Sequence, residues 1–187
     1  MVWFTPDFIR ASANTAEGPR IAANEGPNFA SFVVDAALEI TGTDRLPREL
    51  EPWANLLTFD AFSFNADRTI GNPNVLWDGD DLHLIDHGML APTWTAAADG
   101  LAGGSLFDDR YIPLHVSYGI IRSRGASFDH VRLAWAREVT AAFLRWAIDQ
   151  VPAAWATGPE RRELLDFLSA RAGIADGQVG ELRRVVQ

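Results

Sequence analysis

Between Asn74 and Asp86 the chain reads NVLWDGDDLHLID. An apolar triplet, an Asp-Gly pair and an alternating Leu-His-Leu-Ile run are the signals of a β-hairpin, with its turn at Asp78-Gly79. In that register Leu82 and Leu84 share one face, and His83 and Ile85 the other. The clearest periodicity elsewhere is helical. The hairpin therefore narrows the fold to an α+β architecture, mainly helical, with one small ribbon.

The helical segments follow from spacing. Over residues 48–64, Leu50, Trp53, Leu57, Ala61 and Phe64 recur at intervals of three and four, which puts them on one helix face. Residues 128–150 form the clearest pattern, with Asp129 as N-cap and Val131, Trp135, Val139, Ala142, Phe143 and Trp146 along one stripe. Thr157 and Glu160 make a capping box that opens a helix to about residue 172, with Gly173 in the position after its end. Thr5 and Pro6 start a short helix over residues 5–14. Residues 15–30 carry Gly and Pro at loop spacing. Residues 29–40 suit a buried helix, although their β-branched residues leave a strand open. In the Gly- and Asp-rich stretch 89–127, only YIPLHVSYGIIRS is expected to pack inside. Residues 174–187 are expected to fray. The whole is read as a single domain.

Composition excludes several functions. The 187 residues are 48% hydrophobic with seven Trp, so a core can form, and the net charge of −9 argues against a nucleic-acid surface. The chain has no Cys, hence no disulfide and no thiolate metal site. All 16 basic residues are Arg. A GC-rich coding bias accounts for this, and it removes every mechanism that needs a lysine. No run approaches the ~20 apolar residues of a membrane span, and a cytoplasmic protein is the expectation. The four histidines show no metal-binding spacing. Asp78, Asp80 and Asp81 lack EF-hand spacing and read as a solvated tip.

Asp67, Asn72 and Asp86 flank the hairpin. A ribbon that returns on itself would bring its two ends, and with them these oxygen-bearing side chains, to one place. Two carboxylates and a carboxamide are the parts of a Mg²⁺–nucleotide site, because Mg²⁺ takes hard oxygen ligands and shares them with phosphate. Asn74 rivals Asn72 because it directly precedes the strand; spacing favours Asn72. Arg68 is suited either to a phosphate or to a neighbouring acid.

The run FDAFSFNADRTIGNPNVLW…LHLIDHG resembles the catalytic segment of HipA-like kinases, the family of the bacterial persistence toxin. It is closest to an actinobacterial branch with a similar DRT…NPNLLW…LIDHG run. GPNFAS (26–31) and VPAAW (151–155) resemble elements of the same branch. The resemblance spans roughly residues 7–172. It implies a protein-kinase-like C-lobe, ATP with Mg²⁺ as cofactors, and phosphoryl transfer to a protein Ser or Thr. By resemblance, Asp67 is the catalytic base, Asn72 (or Asn74) and Asp86 hold Mg²⁺, Val75 and Leu76 lie under the adenine, and Arg68 belongs to the nucleotide-binding set. Residues 96–104 stand where an activation segment would be. No Gly-rich strand–turn–strand precedes Asp67 and no Lys exists to grip phosphates. The pattern is therefore that of a C-lobe without its N-lobe. Activity of the chain alone is expected to be impaired, with a pseudokinase-like binding module or half of a split kinase as the alternative. The implied partners are a protein substrate, a separate N-lobe or antitoxin-like chain, or a second copy of this one.

Overall fold

The fold is taken from a computed structural model that describes residues 2–28, 38–39, 49–87, 111–125, 127–129, 131 and 137–186. The chain divides into two compact units, residues 1–35 and residues 36–187.

In the first unit, β1 (Val2–Phe4) pairs antiparallel with β2 (Gly26–Asn28). Between them lie α1 (Pro6–Ser12) and α2 (Gly18–Ala22). Thr5 caps α1 as its sequence position requires, its Oγ1 accepting from the Phe8 amide at 3.2 Å, with Pro6 in the first turn. The stretch expected to be loop thus contains a one-turn helix, α2, and a strand.

The second unit is built around α3 (Glu51–Ser63). Trp53, Ala54, Leu57 and Ala61 on this helix are fully buried, and the core continues through Val75, Ile112, Ile121, Phe128 and Val131. Almost the whole circumference of α3 is covered, Thr58, Asp60 and Ser63 included, which marks it as a central helix rather than a surface one. It ends where Phe64 turns left-handed (φ 60°) and its amide returns to Asp60 O.

A three-stranded antiparallel sheet follows in the order β3 (Leu38–Glu39), β4 (Val75–Trp77), β5 (Leu82–Leu84). Most of the 29–40 segment lies outside the described residues; the two that are described are strand. In the ribbon, Val75 pairs with Leu84, Leu76 with His83 and Trp77 with Leu82. Val75, Trp77, Leu82 and Leu84 join the core, so the two faces divide as the alternation predicts. The turn differs. Pairing of Trp77 with Leu82 leaves four connecting residues, not two. Asp78 Oδ1 accepts from the Asp80 and Asp81 amides (2.9 and 2.8 Å), and Gly79 alone takes positive φ (112°). The side-chain turn outcompetes the tighter backbone turn.

Beyond the residues not described come a 3₁₀ turn (Ile112–Leu114), α4 (Tyr118–Arg124), α5 (Ala141–Asp149), α6 (Gly158–Gly173) and α7 (Ala175–Val186). The YIPLHVSYGII stretch packs inside as expected, with Ile112, His115, Val116, Ser117 and Ile121 buried. The continuous helix expected over 128–150 is interrupted at Val139–Thr140. Thr140 caps a new helix, Oγ1 accepting from the Phe143 amide at 3.1 Å, and Leu144 and Ile148 face inward while Phe143 and Trp146 are exposed. The break rotates the stripe. The Thr157/Glu160 capping box is present. Gly173 is the last residue of α6 rather than the residue after it. The tail expected to fray is α7, with Val179, Leu182 and Val186 buried in the core. The described part is thus mainly helical with small antiparallel sheets, an α+β fold. No helix among the described residues is long and apolar enough to cross a membrane.

Candidate functional site

The loop from α3 to β4 is fixed from below by Asp60. This residue sits on the buried side of α3, fully covered. Its Oδ2 accepts from Arg68 Nε at 2.7 Å and from His115 Nε2 at 2.9 Å, and its Oδ1 accepts from Asn65 Nδ2 at 2.9 Å. The Ser117 amide donates to His115 Nδ1 at 3.1 Å, which leaves the ring proton on Nε2, facing Asp60. Burial pushes the His115 pKa below its usual value, against the pull of Asp60. The imidazole is therefore a neutral donor near pH 7.

Arg68 is 0% exposed. Beyond Asp60, its Nη1 donates to the Asn74 carbonyl and makes longer contacts, at 3.5 Å, to the carbonyls of Pro73 and Ile85. Nη2 is buried without a partner. Of its two expected roles, Arg68 takes the ion pair with a neighbouring acid. Full burial turns the guanidinium to these protein acceptors rather than to the surface. What it does is fasten the loop to both ends of the ribbon.

Above Arg68 the polar side chains converge. Asp67 Oδ2 accepts from Asn72 Nδ2 at 3.0 Å and from Asn74 Nδ2 at 3.3 Å. The Asp67 amide donates to Asn65 Oδ1 at 3.2 Å. Asn72 is further held by a tight turn, with Thr69 N to Asn72 O at 3.0 Å and Asn72 N to Thr69 Oγ1 at 3.2 Å. Because a carboxylate can only accept, each carboxamide turns its NH₂ inward and keeps its carbonyl oxygen for another partner. Both candidate asparagines thus meet Asp67.

Asp86 arrives through the ladder. The Ile85 amide donates to Asn74 O at 3.0 Å, and both Asn74 and Asp86 have φ of 49°. Asn and Asp are the non-glycine types that tolerate this left-handed region best, and such backbone gathers at functional sites. Asp86 and Asn72 are exposed, Asp67 is half-buried and Asn74 is 8% exposed. Leu76 lies apart, half-buried on β4 opposite His83, on the ribbon face away from the core. The next residue, His87, donates Nε2–H to Leu84 O at 3.3 Å and meets the Phe59 ring edge-on at 6.1 Å.

The donor set is hard oxygen: two carboxylates and two amide carbonyls. No group of three or more His, Cys, Asp or Glu able to hold a metal occurs among the described residues. A cation held by these residues would have to complete its shell with oxygens from outside the protein. Residues 96–104 lie outside the described residues.

Asp60, Asn65 and His115 were not singled out from sequence. The available signal was Asp60 itself, an acid three residues after Leu57 and four after Leu56 on the buried side of an apolar helix, where a carboxylate needs donors. His115, 55 residues away, offered only its apolar surroundings. Protein-family models, curated proteins and solved structures yield no match to this chain.

Proposed function

We propose that the α3–β4 loop and the residue after β5 form a Mg²⁺–nucleotide site of the phosphoryl-transfer type, in a lobe of HipA-like kinase character. One observation carries the reading. Two carboxamides are turned onto the single carboxylate of Asp67, and the Ile85 amide, one residue before the second acid Asp86, donates to the carbonyl of one of them, Asn74. A loop with no chemistry to perform has no reason to gather these groups above a buried ion pair built only to hold it.

Bound Mg²⁺–ATP supplies the phosphoryl group and neutralises its charge. The chain's residues do the rest. Asp67 receives the proton of a protein Ser or Thr hydroxyl as that oxygen bonds to the γ-phosphorus and the bond to the bridging oxygen breaks, releasing ADP. The Asn72 and Asn74 amide groups hold the carboxylate in place for this transfer, and their carbonyl oxygens, with Asp86, would hold the metal. Leu76 offers an apolar bed for the base.

A second reading is a non-catalytic module that retains nucleotide or metal contact and works with a protein partner. The absence of any Lys and the burial of Arg68 favour it, since phosphoryl transfer depends on clamping charge. Thermal unfolding with and without ATP and Mg²⁺ tests what the two readings share. At a hundred-fold excess over Kd the expected rise is about 5–10 °C, and Asp86→Ala should abolish it. No rise in the wild type refutes both. Transfer of labelled γ-phosphate to protein, lost in Asp67→Asn, separates the first reading from the second.

A further inference from the structure

A cavity of about 360 Å³ opens beside the ribbon, away from Asp67. Its walls are mostly apolar, Leu56 and Phe59 from one face of α3 and Leu82 and Leu84 from β5, with Asn55 as the one carboxamide among the lining residues. Its rim carries Asp80 and Asp81, both exposed. The neighbouring Asp78 is fully committed. Its Oδ1 takes the Asp80 and Asp81 amides and its Oδ2 takes His83 Nε2 at 2.7 Å, and these bonds hold its carboxyl well below the usual range. Among the described residues the carboxylates of Asp80 and Asp81 are drawn into no such network, and no basic side chain lines the cavity.

Two adjacent like charges at the mouth of an apolar chamber define the complement. An anion is repelled. A hard metal ion finds at most one further side-chain oxygen, that of Asn55, among the lining residues. A neutral apolar molecule leaves the rim uncompensated. We infer that this cavity binds a small organic amine, an aromatic or aliphatic body in the chamber with its ammonium between Asp80 and Asp81. The volume lies at the lower end of the range for small-molecule sites. Binding there is independent of any role for Asp67. It has one consequence for that site: the Phe59 ring that walls the chamber is the ring that meets His87, the neighbour of Asp86, so an occupant is sensed one residue from Asp86.

Titration of the ¹⁵N-labelled protein with 4-phenylbutylamine, followed by amide shifts, tests this against two probes of the same shape, 4-phenylbutan-1-ol and 4-phenylbutyrate. Expected are saturable shifts at Leu56, Leu82 and Leu84 and affinities in the order amine, alcohol, carboxylate, with the His87 ring signals moving in the amine titration. Asp80→Asn with Asp81→Asn should weaken the amine on the order of ten-fold and leave the alcohol within about two-fold. These positions are exposed, so the variant folds. Asn55→Phe, which fills the chamber from α3, should remove binding of both. Equal affinity for amine and carboxylate, shifts centred elsewhere, no binding by any probe, or an amine affinity indifferent to the Asp80/Asp81 change would each overturn the inference.

Discussion

Replacing Asp60 by Asn keeps the volume and removes the charge. Arg68 then stays fully buried, its Nε facing an amide, and His115 loses its charged acceptor. Breaking one side of a buried pair costs about 3–5 kcal/mol. One amide oxygen still accepts a single bond, so the lower end applies, about 3 kcal/mol. Against a total of about 5–15 kcal/mol, that is a large share. With an m-value of about 2 kcal/mol/M, the urea midpoint followed by Trp fluorescence should fall by about 1.5 M. Arg183→Ala is the control. Its pair with Asp129 at 3.3 Å leaves the side chains 52% and 75% exposed, so its loss should cost under about 0.5 kcal/mol. Adding Arg68→Met to Asp60→Asn removes the stranded cation, and the double variant should be more stable than additivity allows. If Asp60→Asn costs no more than Arg183→Ala, or the two substitutions add, the account of the loop's foundation is wrong.

Acid should expose the same cluster. Because burial holds the folded His115 pKa below the ordinary histidine value of 6.5, the unfolded state binds the proton first. The stabilisation is whole above about pH 7 and is lost progressively as pH falls below about 6.5, by at most about 1.4 kcal/mol per pH unit. His115→Gln should flatten that slope in urea midpoints between neutral and mildly acid pH, and an unchanged slope would contradict this. Thr140→Ala removes the cap at the helix break and should cost about 1 kcal/mol by urea unfolding; an unchanged midpoint would show that the break is imposed from elsewhere. Leu182→Ala, at 1% exposure, should cost about 2–5 kcal/mol, whereas a frayed tail would register almost nothing.

The sequence made legible whatever depends on near neighbours. The Thr5 and Thr157 caps, the apolar spacing of α3 and the alternation of the ribbon all act within a turn or two of chain, and each appears where expected. The convergence of Asn72 and Asn74 on Asp67 is legible for the same reason: seven residues and one loop contain it. What escaped depends on distant partners or on competition between local options. Gly177 and Gly180 made the tail look broken, yet Val179, Leu182 and Val186 find a core already built by α3. Val139 looked like a member of a helix stripe, and the side-chain cap of Thr140 ended the helix there. Arg68 stays open between a phosphate and a neighbouring acid until its partners, Asp60 and backbone carbonyls from either end of the ribbon, are known.

Arg171 shares the deep burial of Arg68. From α6 its Nε and Nη2 reach the carbonyls of Phe62 and Ala61 at 3.1 and 2.6 Å, at the end of α3, with the guanidinium 5.7 Å over the Phe64 ring. Burial lowers its pKa to about 10, so it remains a cation against the negative end of that helix. Both positions use the breadth of the fork, several nitrogens spread across acceptors that a single ammonium cannot span. Codon drift toward AT would convert surface arginines to lysine freely. A descendant of this protein in such a genome should still keep arginine at 68 and 171, two fossils of geometry in an otherwise rewritten set of cations.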